Sequence, residues 1–369
     1  MAHTFYPLEA FRLPALSTSA IVSVIALHSL PASRFPVAVC TFICIKPFQT
    51  ASFIIPSLSS LKEKALRMSS VRHWINAARL RTLPLAAAST LCGGLVAKSA
   101  DALNGTVLAL CTATALALQV FSNFANDYGD TRHGADSPLR QGPVRMVASG
   151  RISQSRMRAG LVLAALFCCA LGIALLAAAL PAVAATEPAV WLLWLLLGAA
   201  AIAAAFGYTA GRKPYGYQGW GDFSVLLFFG WLGVLGSAWL QSGQLHPSAL
   251  LPATALGLWC SMVLNLNNMR DICSDLAAGK RTIAARLGLS AAKRYHAALL
   301  AISVLLWWLW LPQAFDDAAQ GRLKAILLLL AFIHLYFLKK APSCSALDKL
   351  LPQWSLSILV WVLLLWFFI

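Results

Sequence analysis

Residues 159–180 read AGLVLAALFCCALGIALLAAAL, a continuous run without a charged or amide side chain. A helix needs about 20 mostly apolar residues to cross a hydrocarbon layer of ~30 Å, so this stretch predicts a membrane-spanning helix. Similar stretches follow one another along the chain from residue 83 to the C-terminus. The nine predicted spans cover 83–99, 103–121, 159–180, 189–208, 223–241, 249–267, 297–312, 324–338 and 353–369.

The composition of the whole chain agrees with this reading. Of 369 residues, 59% are hydrophobic and only 11% are charged, whereas soluble domains carry about 25% charged residues. This excludes an ordinary soluble enzyme and a disordered protein. The nine cysteines form no CxxC pair and lie mostly in apolar runs, so we interpret them as small buried residues. The sequence predicts an all-α, polytopic membrane protein.

Lysine and arginine outnumber aspartate and glutamate by 29 to 13. A basic balance can indicate nucleic acid binding, but here the cations are concentrated in every second connection between the spans, which is the positive-inside pattern of a membrane protein. We therefore predict that these connections and the N-terminal region are cytoplasmic and that Ile369 lies outside. A bilayer is the expected partner, and a nucleic acid is not.

Residues 1–67 differ in character from the rest of the chain. They are rich in Ser and Pro and contain no single apolar run long enough to span a membrane. We predict that they form a disordered or untranslated extension, followed by an intramembrane domain at 68–369; the alternative is a transit peptide. Tryptophans near span ends predict rings at the membrane interface. These are Trp191, Trp220, Trp310, Trp354 and Trp366.

Carboxylates are scarce in this chain, yet they cluster twice at the cytoplasmic end of a predicted span. The first cluster contains Asn123, Asn126, Asp127, Asp130 and Asp136, and the second contains Asn267, Asn268, Asp271 and Asp275. Each begins with Asn-x-x-x-Asp. Because residues three or four apart share a helical face, each cluster predicts one polar stripe on one helix. Two matching stripes also indicate a weak internal duplication.

Two facing carboxylate stripes at a membrane surface are the oxygen-rich arrangement that Mg²⁺ prefers, together with substrate phosphates. We predict that they hold Mg²⁺ and the diphosphate of a prenyl donor whose tail extends into the bundle. Cations nearby can neutralise the remaining charge; these are Arg140, Arg145, Lys213, Lys280 and Arg281. The simpler alternative is that the acids only pair with loop arginines. Because charge near a bilayer is costly and usually functional, we favour the site.

Several ordered motifs of the chain resemble the UbiA superfamily of intramembrane aromatic prenyltransferases. The matching stretches are 77–85, 123–136, 142–150, 211–217 and 267–288. Lys213-Pro-Tyr-Gly-Tyr217 and Gly279-Lys-Arg-Thr282 are similar to the branch that prenylates 1,4-dihydroxy-2-naphthoate for menaquinone. The likeness runs from about residue 74 to the C-terminus and leaves 1–67 unmatched. Leu80 departs from the pattern, because relatives often carry proline there.

This resemblance implies a nine-helix bundle with a central cavity that is open to lipid and capped by cytoplasmic loops. It implies that Asp127, Asp130, Asp271 and Asp275 hold Mg²⁺ and the diphosphate. The donor then ionises to an allylic cation, the naphthoate ring attacks it, and CO₂ and diphosphate are lost. The implied location is the inner membrane of a bacterium.

The remaining candidates support these acids. Asn123, Asn126 and Asn267 are candidate substrate ligands, or else hydrogen bond between helices. Arg140, Arg145 and Lys213 are candidate diphosphate ligands, or else only determinants of topology. We predict that Arg79 and Asp222 face the carboxylate of the acceptor or a neighbouring ion pair.

Two other functions remain open at this point. The first is a prenyltransferase of the same superfamily with another acceptor, such as 4-hydroxybenzoate, homogentisate or haem. The second is an ion-coupled secondary transporter. Transporters place acids near the bilayer midplane on broken helices, whereas these acids lie at the cytoplasmic ends of spans, so the sequence favours an enzyme.

Overall fold

The helices of this protein form where long apolar runs alternate with short polar breaks. The structure is a computed structural model and describes residues 70–134, 140–183 and 187–369. Within these ranges the regular elements are all helices, and nine of them are long and apolar enough to cross a membrane. They are α1 Ser70–Ser99, α2 Gly105–Arg132, α3 Gln154–Val183, α4 Pro188–Gly207, α5 Gly221–Ser242, α6 Pro247–Arg270, α7 Ile283–Ala314, α8 Asp317–Lys340 and α9 Ser345–Phe368. The predicted all-α fold is confirmed.

Helix α1 begins earlier than the sequence predicts and is interrupted. At Arg79 the backbone adopts left-handed angles (φ 50°, ψ 61°), and a 3₁₀ turn, Leu80–Thr82, leads into the second part of the helix, Leu83–Ser99. Pro84 is tolerated there because the first turn of a helix has no hydrogen bond to lose. A non-glycine residue in this conformation is strained, and the strain lies at the side chain that faces the central cavity.

Helix α2 continues to Arg132, well past the predicted end at residue 121. The first acidic cluster therefore lies on the last turns of a membrane helix, and the predicted stripe of Asn123, Asp127 and Asp130 on one helix is confirmed. Asp136 lies outside the described residues.

The second cluster is not continuous. Helix α6 ends at Arg270, Asp271 adopts non-helical angles (φ −100°, ψ 13°), and a short helix, Ile272–Ala277, follows. The prediction of one helical stripe through Asn267, Asp271 and Asp275 is therefore wrong. The guanidinium of Arg270 binds the carboxylate of its neighbour Asp271. Consecutive residues of a helix do not face each other, so this contact requires the helix to end between them.

Helix α6 lies at the centre of one half of the molecule, where it packs against α5, α7 and α9. Four fully buried tryptophans fill this core, namely Trp259, Trp307, Trp354 and Trp361. The ring centroids of Trp259 and Trp354 are 5.2 Å apart at an edge-to-face angle, a favourable aromatic geometry. The prediction that Trp310 and Trp354 lie at the membrane interface is wrong, because both are buried inside the bundle.

Small residues allow α5 and α6 to approach closely. The middle of α5, Leu226–Leu235, is π-helical, and a Cβ atom on Gly230 would lie 2.6 Å from the carbonyl oxygen of Ala253. Such close backbone contacts are typical of membrane helix interfaces. Helix α4 is more exposed, since Ala201 is its one buried residue.

Candidate functional site

A cavity of about 480 Å³ lies among helices α1 to α6. Most of its wall is aliphatic and aromatic, contributed for example by Leu118, Ile173, Leu176, Leu195 and Phe228. Polar side chains line it near the C-terminal ends of α2 and α6. These are Arg79, Asn123, Asn126, Asp130, Arg145, Tyr208, Asn267 and Lys280. The cavity therefore offers charge and hydrogen bonds at one part and an apolar surface elsewhere.

Asp127 is buried and both of its carboxylate oxygens accept hydrogen bonds from the backbone of the loop that follows α2. The N–H of Met146 donates to Oδ2 over 3.0 Å, and the N–H of Val147 donates to Oδ1 over 2.9 Å. Asp127 thus fixes the loop across the end of the helix. It does not line the cavity.

Asp130 lies one turn further along and does line the cavity. Arg145 of the same loop pairs with its Oδ2 atom, and the hydroxyl of Tyr217 donates to its Oδ1 atom over 2.7 Å. A carboxylate has about four acceptor positions, so Asp130 retains capacity for a further ligand. Burial, and then the charge of Asp130, raise the pKa of Tyr217, which therefore stays a neutral donor.

The asparagines of the first cluster form hydrogen bonds to other parts of the helical bundle. Asn123 Nδ2 donates to the carbonyl oxygen of Ala78 over 2.8 Å, and Asn126 Oδ1 accepts from the hydroxyl of Thr209 over 3.0 Å. Both residues line the cavity. The alternative of helix-to-helix hydrogen bonding is therefore realised, and a role in substrate binding stays a prediction.

Asp271 is held by the residue before it. Arg270 Nε donates to Oδ1 over 2.9 Å and Nη2 donates to Oδ2 over 2.5 Å. Burial raises the pKa of Asp271, but the hydrogen bonds and charge of Arg270 outweigh it and hold the pKa below its usual value. Asn267, also of the second cluster, accepts a bond from Arg270 Nη2 over 2.7 Å.

Asp275 differs from the other three acids because one of its oxygens is buried without a hydrogen-bond partner in the structure. The nearest cation is Lys280, whose Nζ lies 3.7 Å from Oδ1. Burial raises the pKa of Asp275 to about 6, and the charges of Asp271 and Asp130 add to this while Lys280 opposes it. Asp271 is a direct neighbour, since the backbone N–H of Asp275 donates to the carbonyl oxygen of Asp271 over 2.8 Å. An anion in this position requires a cation to stabilise it.

The oxygen of Asp275 without a hydrogen-bond partner is the kind of ligand that Mg²⁺ requires. Magnesium takes oxygen ligands and commonly uses one or two carboxylates, with phosphate and water completing the shell. Asp130 supplies one such carboxylate at the cavity. Asp275 does not line the cavity itself, but it supplies a second carboxylate beside Lys280, which does. Among the described residues no group of three His, Cys, Asp or Glu side chains is arranged to hold a metal ion. The donors present therefore fit a metal that shares its shell with a phosphate.

The predicted cations separate into two places. Arg145 and Lys280 line the cavity, and Arg140 lies close enough to lower the pKa of Asp271. Lys213 does not reach the cavity; it is exposed and lines a separate surface depression with Trp220, Arg281 and Arg286. The structure therefore does not bring Lys213 together with the acids.

The two candidates for the acceptor also separate. Arg79 lines the cavity, and its guanidinium makes no ion pair or hydrogen bond to the part of the chain that the structure describes. Asp222 lies away from the cavity, buried between α5, α6 and α7, where its Oδ1 atom accepts a hydrogen bond from Tyr295 over 3.2 Å. Arg79 is therefore the better placed of the two.

Sequence reasoning left several contributors out of the site. Tyr217 lies in a stretch that carries the resemblance but was not itself predicted as a site residue, and Lys280 was named only among the cations that can neutralise the charge of the diphosphate. Arg81 and Asp348 form an ion pair at 3.2 Å although 267 residues separate them. No local pattern indicates a partnership over that distance.

The sequence of this chain is similar to those of known prenyltransferases. The UbiA prenyltransferase family model matches residues 86–356. A 1,4-dihydroxy-2-naphthoate octaprenyltransferase of Escherichia coli is 45% identical over 63% of this chain and 74% of its own length. Proteins of the same name from Haemophilus influenzae and Mycobacterium tuberculosis are 41% and 39% identical, over 67% and 65% of this chain and 79% and 78% of their own lengths.

Solved structures share the fold at low sequence identity. A UbiA homologue from Archaeoglobus fulgidus, bound to GPP and Mg²⁺, is 17% identical with a TM-score of 0.50 and covers 78% of this chain and 99% of its own. A structure described for digeranylgeranylglyceryl phosphate synthase is 16% identical, also with a TM-score of 0.50, and covers 80% of this chain and 96% of its own.

Proposed function

We propose, from the premise that this chain belongs to the UbiA prenyltransferase family, that it transfers a polyprenyl group from polyprenyl diphosphate to 1,4-dihydroxy-2-naphthoate. Diphosphate and CO₂ leave, and the product is demethylmenaquinol. The names of relatives that are 39–45% identical support this acceptor. The family supports a prenyl diphosphate as the donor.

The cavity itself is the observation that carries the proposal. A prenyl diphosphate has a highly charged head and a long apolar tail, and the cavity matches this with a polar part and an apolar wall. A soluble small molecule would not require such a wall inside a membrane bundle. The tail lies among α3, α4 and α5, and the head lies beside Asp130, Arg145 and Lys280.

We assign Asp130 and Asp275 to Mg²⁺, because Asp130 lines the cavity, its charge acts on Asp275, and one oxygen of Asp275 is buried without a partner. When bound, Mg²⁺ neutralises the negative charge that grows on the departing diphosphate. Lys280 adds a second positive charge to the same leaving group. Asp271 contributes through its charge, since Arg270 occupies both of its oxygens.

The remaining residues orient the reactants and exclude water. The carbon–oxygen bond of the donor breaks, the diphosphate takes the electron pair, and the ring carbon that bears the carboxylate bonds to the allylic cation. The bond to the carboxyl group then breaks and its electrons return to the ring. The apolar wall keeps water from the cation. Tyr208 and Tyr215 line the cavity with their ring centroids 5.4 Å apart at an edge-to-face angle, and an aromatic ring there can stabilise a cation.

Arg79 is the residue that we assign to the carboxylate of the acceptor. A guanidinium binds a carboxylate through two parallel hydrogen bonds, and Arg79 has no protein partner competing for it within the described residues. Arg79 lies at the break in α1, where the backbone is left-handed, and lines the cavity.

An acceptor panel tests the proposed function. Membranes that contain the overproduced protein are given Mg²⁺ and a long prenyl diphosphate with 1,4-dihydroxy-2-naphthoate, 4-hydroxybenzoate or homogentisate. We expect consumption of the naphthoate with release of one CO₂ per prenyl group. Preference for 4-hydroxybenzoate with the carboxyl group retained would assign the protein to another branch of the family.

Arg79 is tested in the same membranes. Arg79→Lys should raise KM for the naphthoate more than KM for the donor, because lysine keeps the charge but loses the two-pronged contact. Arg72→Lys, an exposed arginine on the same helix, is the matched control. Equal changes in the KM of donor and acceptor would remove Arg79 from the acceptor site.

The charge pattern supports a location in the inner membrane of a bacterium, with the motif loops and the N-terminal region in the cytoplasm and the C-terminus outside. A reporter that works only outside the cytoplasm should be active after Ile369 and inactive when inserted near Gly142. The opposite pattern would reverse the orientation.

The division of the chain at residue 67 lies outside the described residues and remains a proposal. A chain that starts at Met68 should insert into membranes and transfer prenyl groups like the full chain, because the motifs all follow that residue. Failure to insert would support the transit-peptide alternative, and insertion without activity would show that residues 1–67 contribute to the site.

A further inference from the structure

Arg270 connects several elements around the second acidic cluster. Its side chain is fully buried, and all three guanidinium nitrogens donate hydrogen bonds. Two of them bind Asp271, and Nη2 also binds Asn267. The third, Nη1, donates to Asp348 Oδ1 over 2.5 Å. A buried guanidinium that is satisfied on every side holds its orientation, because leaving any donor unpaired is costly.

Asp348 lies at the start of α9, far from both clusters in sequence, and is half-buried. Its Oδ1 atom also accepts a hydrogen bond from Arg81 of α1 over 3.2 Å. One carboxylate oxygen therefore receives donors from α1 and α6. It fixes the far side of Arg270 while the near side binds Asp271.

The loop that follows the first cluster rests on the same guanidinium. A Cβ atom added to Gly142 would lie 2.5 Å from Arg270 Nη2 and 2.8 Å from its central carbon. The backbone at Gly142 therefore packs directly against Arg270. This contact joins the loop of the first cluster to the second cluster.

We infer that Asp348 is a positioning residue for the second acidic cluster, acting through Arg270 on Asp271. Arg270 alone could turn toward any nearby carboxylate. Asp348, fixed by Arg81, holds the guanidinium so that its other two nitrogens face both oxygens of Asp271. Asp348 itself does not line the cavity. The inference rests on the proposed function because the cluster is assigned there to the diphosphate.

Asp348→Asn tests this with little change in shape. It removes the charge that attracts Arg270 and Arg81 but keeps the size of the side chain. Asp348→Glu keeps the charge and provides the conservative rescue. Asp317→Asn is the matched control, since Asp317 is an exposed acid at the start of α8 that bonds only to Gln320 within the described residues.

Two readouts are taken on purified protein in detergent. The first is kcat and KM, where we expect Asp348→Asn to lower kcat about tenfold, as for a lost bond to a charged group, with KM for the acceptor unchanged. The second is the binding of Mg²⁺ with inorganic diphosphate by thermal shift, which needs no turnover. Its dissociation constant should rise about tenfold in Asp348→Asn, and Asp348→Glu should recover most of both losses.

Wild-type kcat and diphosphate binding in Asp348→Asn would overturn the inference. The inference would also be overturned if Asp348→Glu failed to restore kcat and diphosphate binding and both losses followed the melting temperature. That result would show that Asp348 only stabilises the fold. The proposed function fails separately, if the wild-type protein transfers no prenyl group to any acceptor in the panel. In that case the diphosphate binding of the variants still tests the position of Asp348.

Discussion

The two acidic clusters share the pattern Asn-x-x-x-Asp and differ in structure. The first lies on the uninterrupted end of α2, and its acids hold the following loop through Met146, Val147 and Arg145. In the second, the helix ends between Arg270 and Asp271, and the last acid, Asp275, keeps a buried oxygen without a partner. Equal spacing has produced one cluster in which every oxygen of Asp127 and Asp130 has a protein partner and one in which an oxygen of Asp275 is buried without a partner.

This comparison shows that the surroundings of a carboxylate determine its role more than its position in a motif does. Both oxygens of Asp127 accept backbone hydrogen bonds that hold a loop, and Asp127 does not line the cavity. Burial and neighbouring negative charge raise the pKa of Asp275 to about 6. A group that folding leaves unsatisfied is a candidate for ligand binding.

The largest expected effect is at Asp275. Asp275→Asn should lower kcat by about a hundredfold or more, as loss of a group that stabilises charge in the transition state does. Thermal stability should not fall, because the substitution removes a poorly compensated buried charge. Activity assays and melting curves in the same membranes check this. Near-normal activity would remove Asp275 from the site and erase the distinction between the clusters.

Lys280 and Lys213 provide the next comparison. Lys280→Ala should lower kcat/KM roughly tenfold to a hundredfold, the equivalent of a charge-assisted hydrogen bond of about 1.5–3 kcal/mol. Lys213→Ala should change it less than about twofold, because an exposed charge outside the cavity contributes little. Both variants replace a lysine with alanine, so their steady-state kinetics can be compared directly. The reverse order would place the diphosphate in the surface depression.

Asp127→Asn tests the organising role of the first cluster. The amide can accept only one of the two backbone hydrogen bonds, so the free energy of unfolding should fall by about 1–3 kcal/mol. Asp275→Asn is the control, because it should show no such loss. Melting temperatures measured without Mg²⁺ separate the two. If Asp127→Asn melts like the wild type, the loop does not depend on that carboxylate.

The smallest expected effect is at the contact between the clusters. Gly142→Ala pushes a methyl group toward the fixed guanidinium of Arg270, and we expect about a threefold loss of kcat, equivalent to roughly 0.7 kcal/mol. Gly321→Ala in α8 is the matched control, since nothing lies within 4 Å of its added Cβ. Identical kinetics in both variants would mean that the loop and Arg270 adjust independently.

Much of the fold could be predicted because apolar length and charge act locally. A run such as 159–180 must be helical in a bilayer, where every backbone hydrogen bond has to be made within the segment. Span ends were less certain, since α2 and α7 extend as helices beyond their apolar runs. The tryptophan positions show the limit. An aromatic ring near a span end can contact either lipid or a neighbouring helix. The packing of the helices decides this, and it buries Trp310 and Trp354 inside the bundle.

The sequence by itself determined the helical class, the nine spans and the two places where acids accumulate, because hydropathy and residue spacing are properties of short segments. The tertiary structure decided which acids remain available. It placed Met146 and Val147 against Asp127, Arg270 against Asp271, and Lys280 rather than Lys213 at the cavity. These contacts join residues distant in the chain, and their energies depend on burial and on the direction of each side chain, which no local pattern contains.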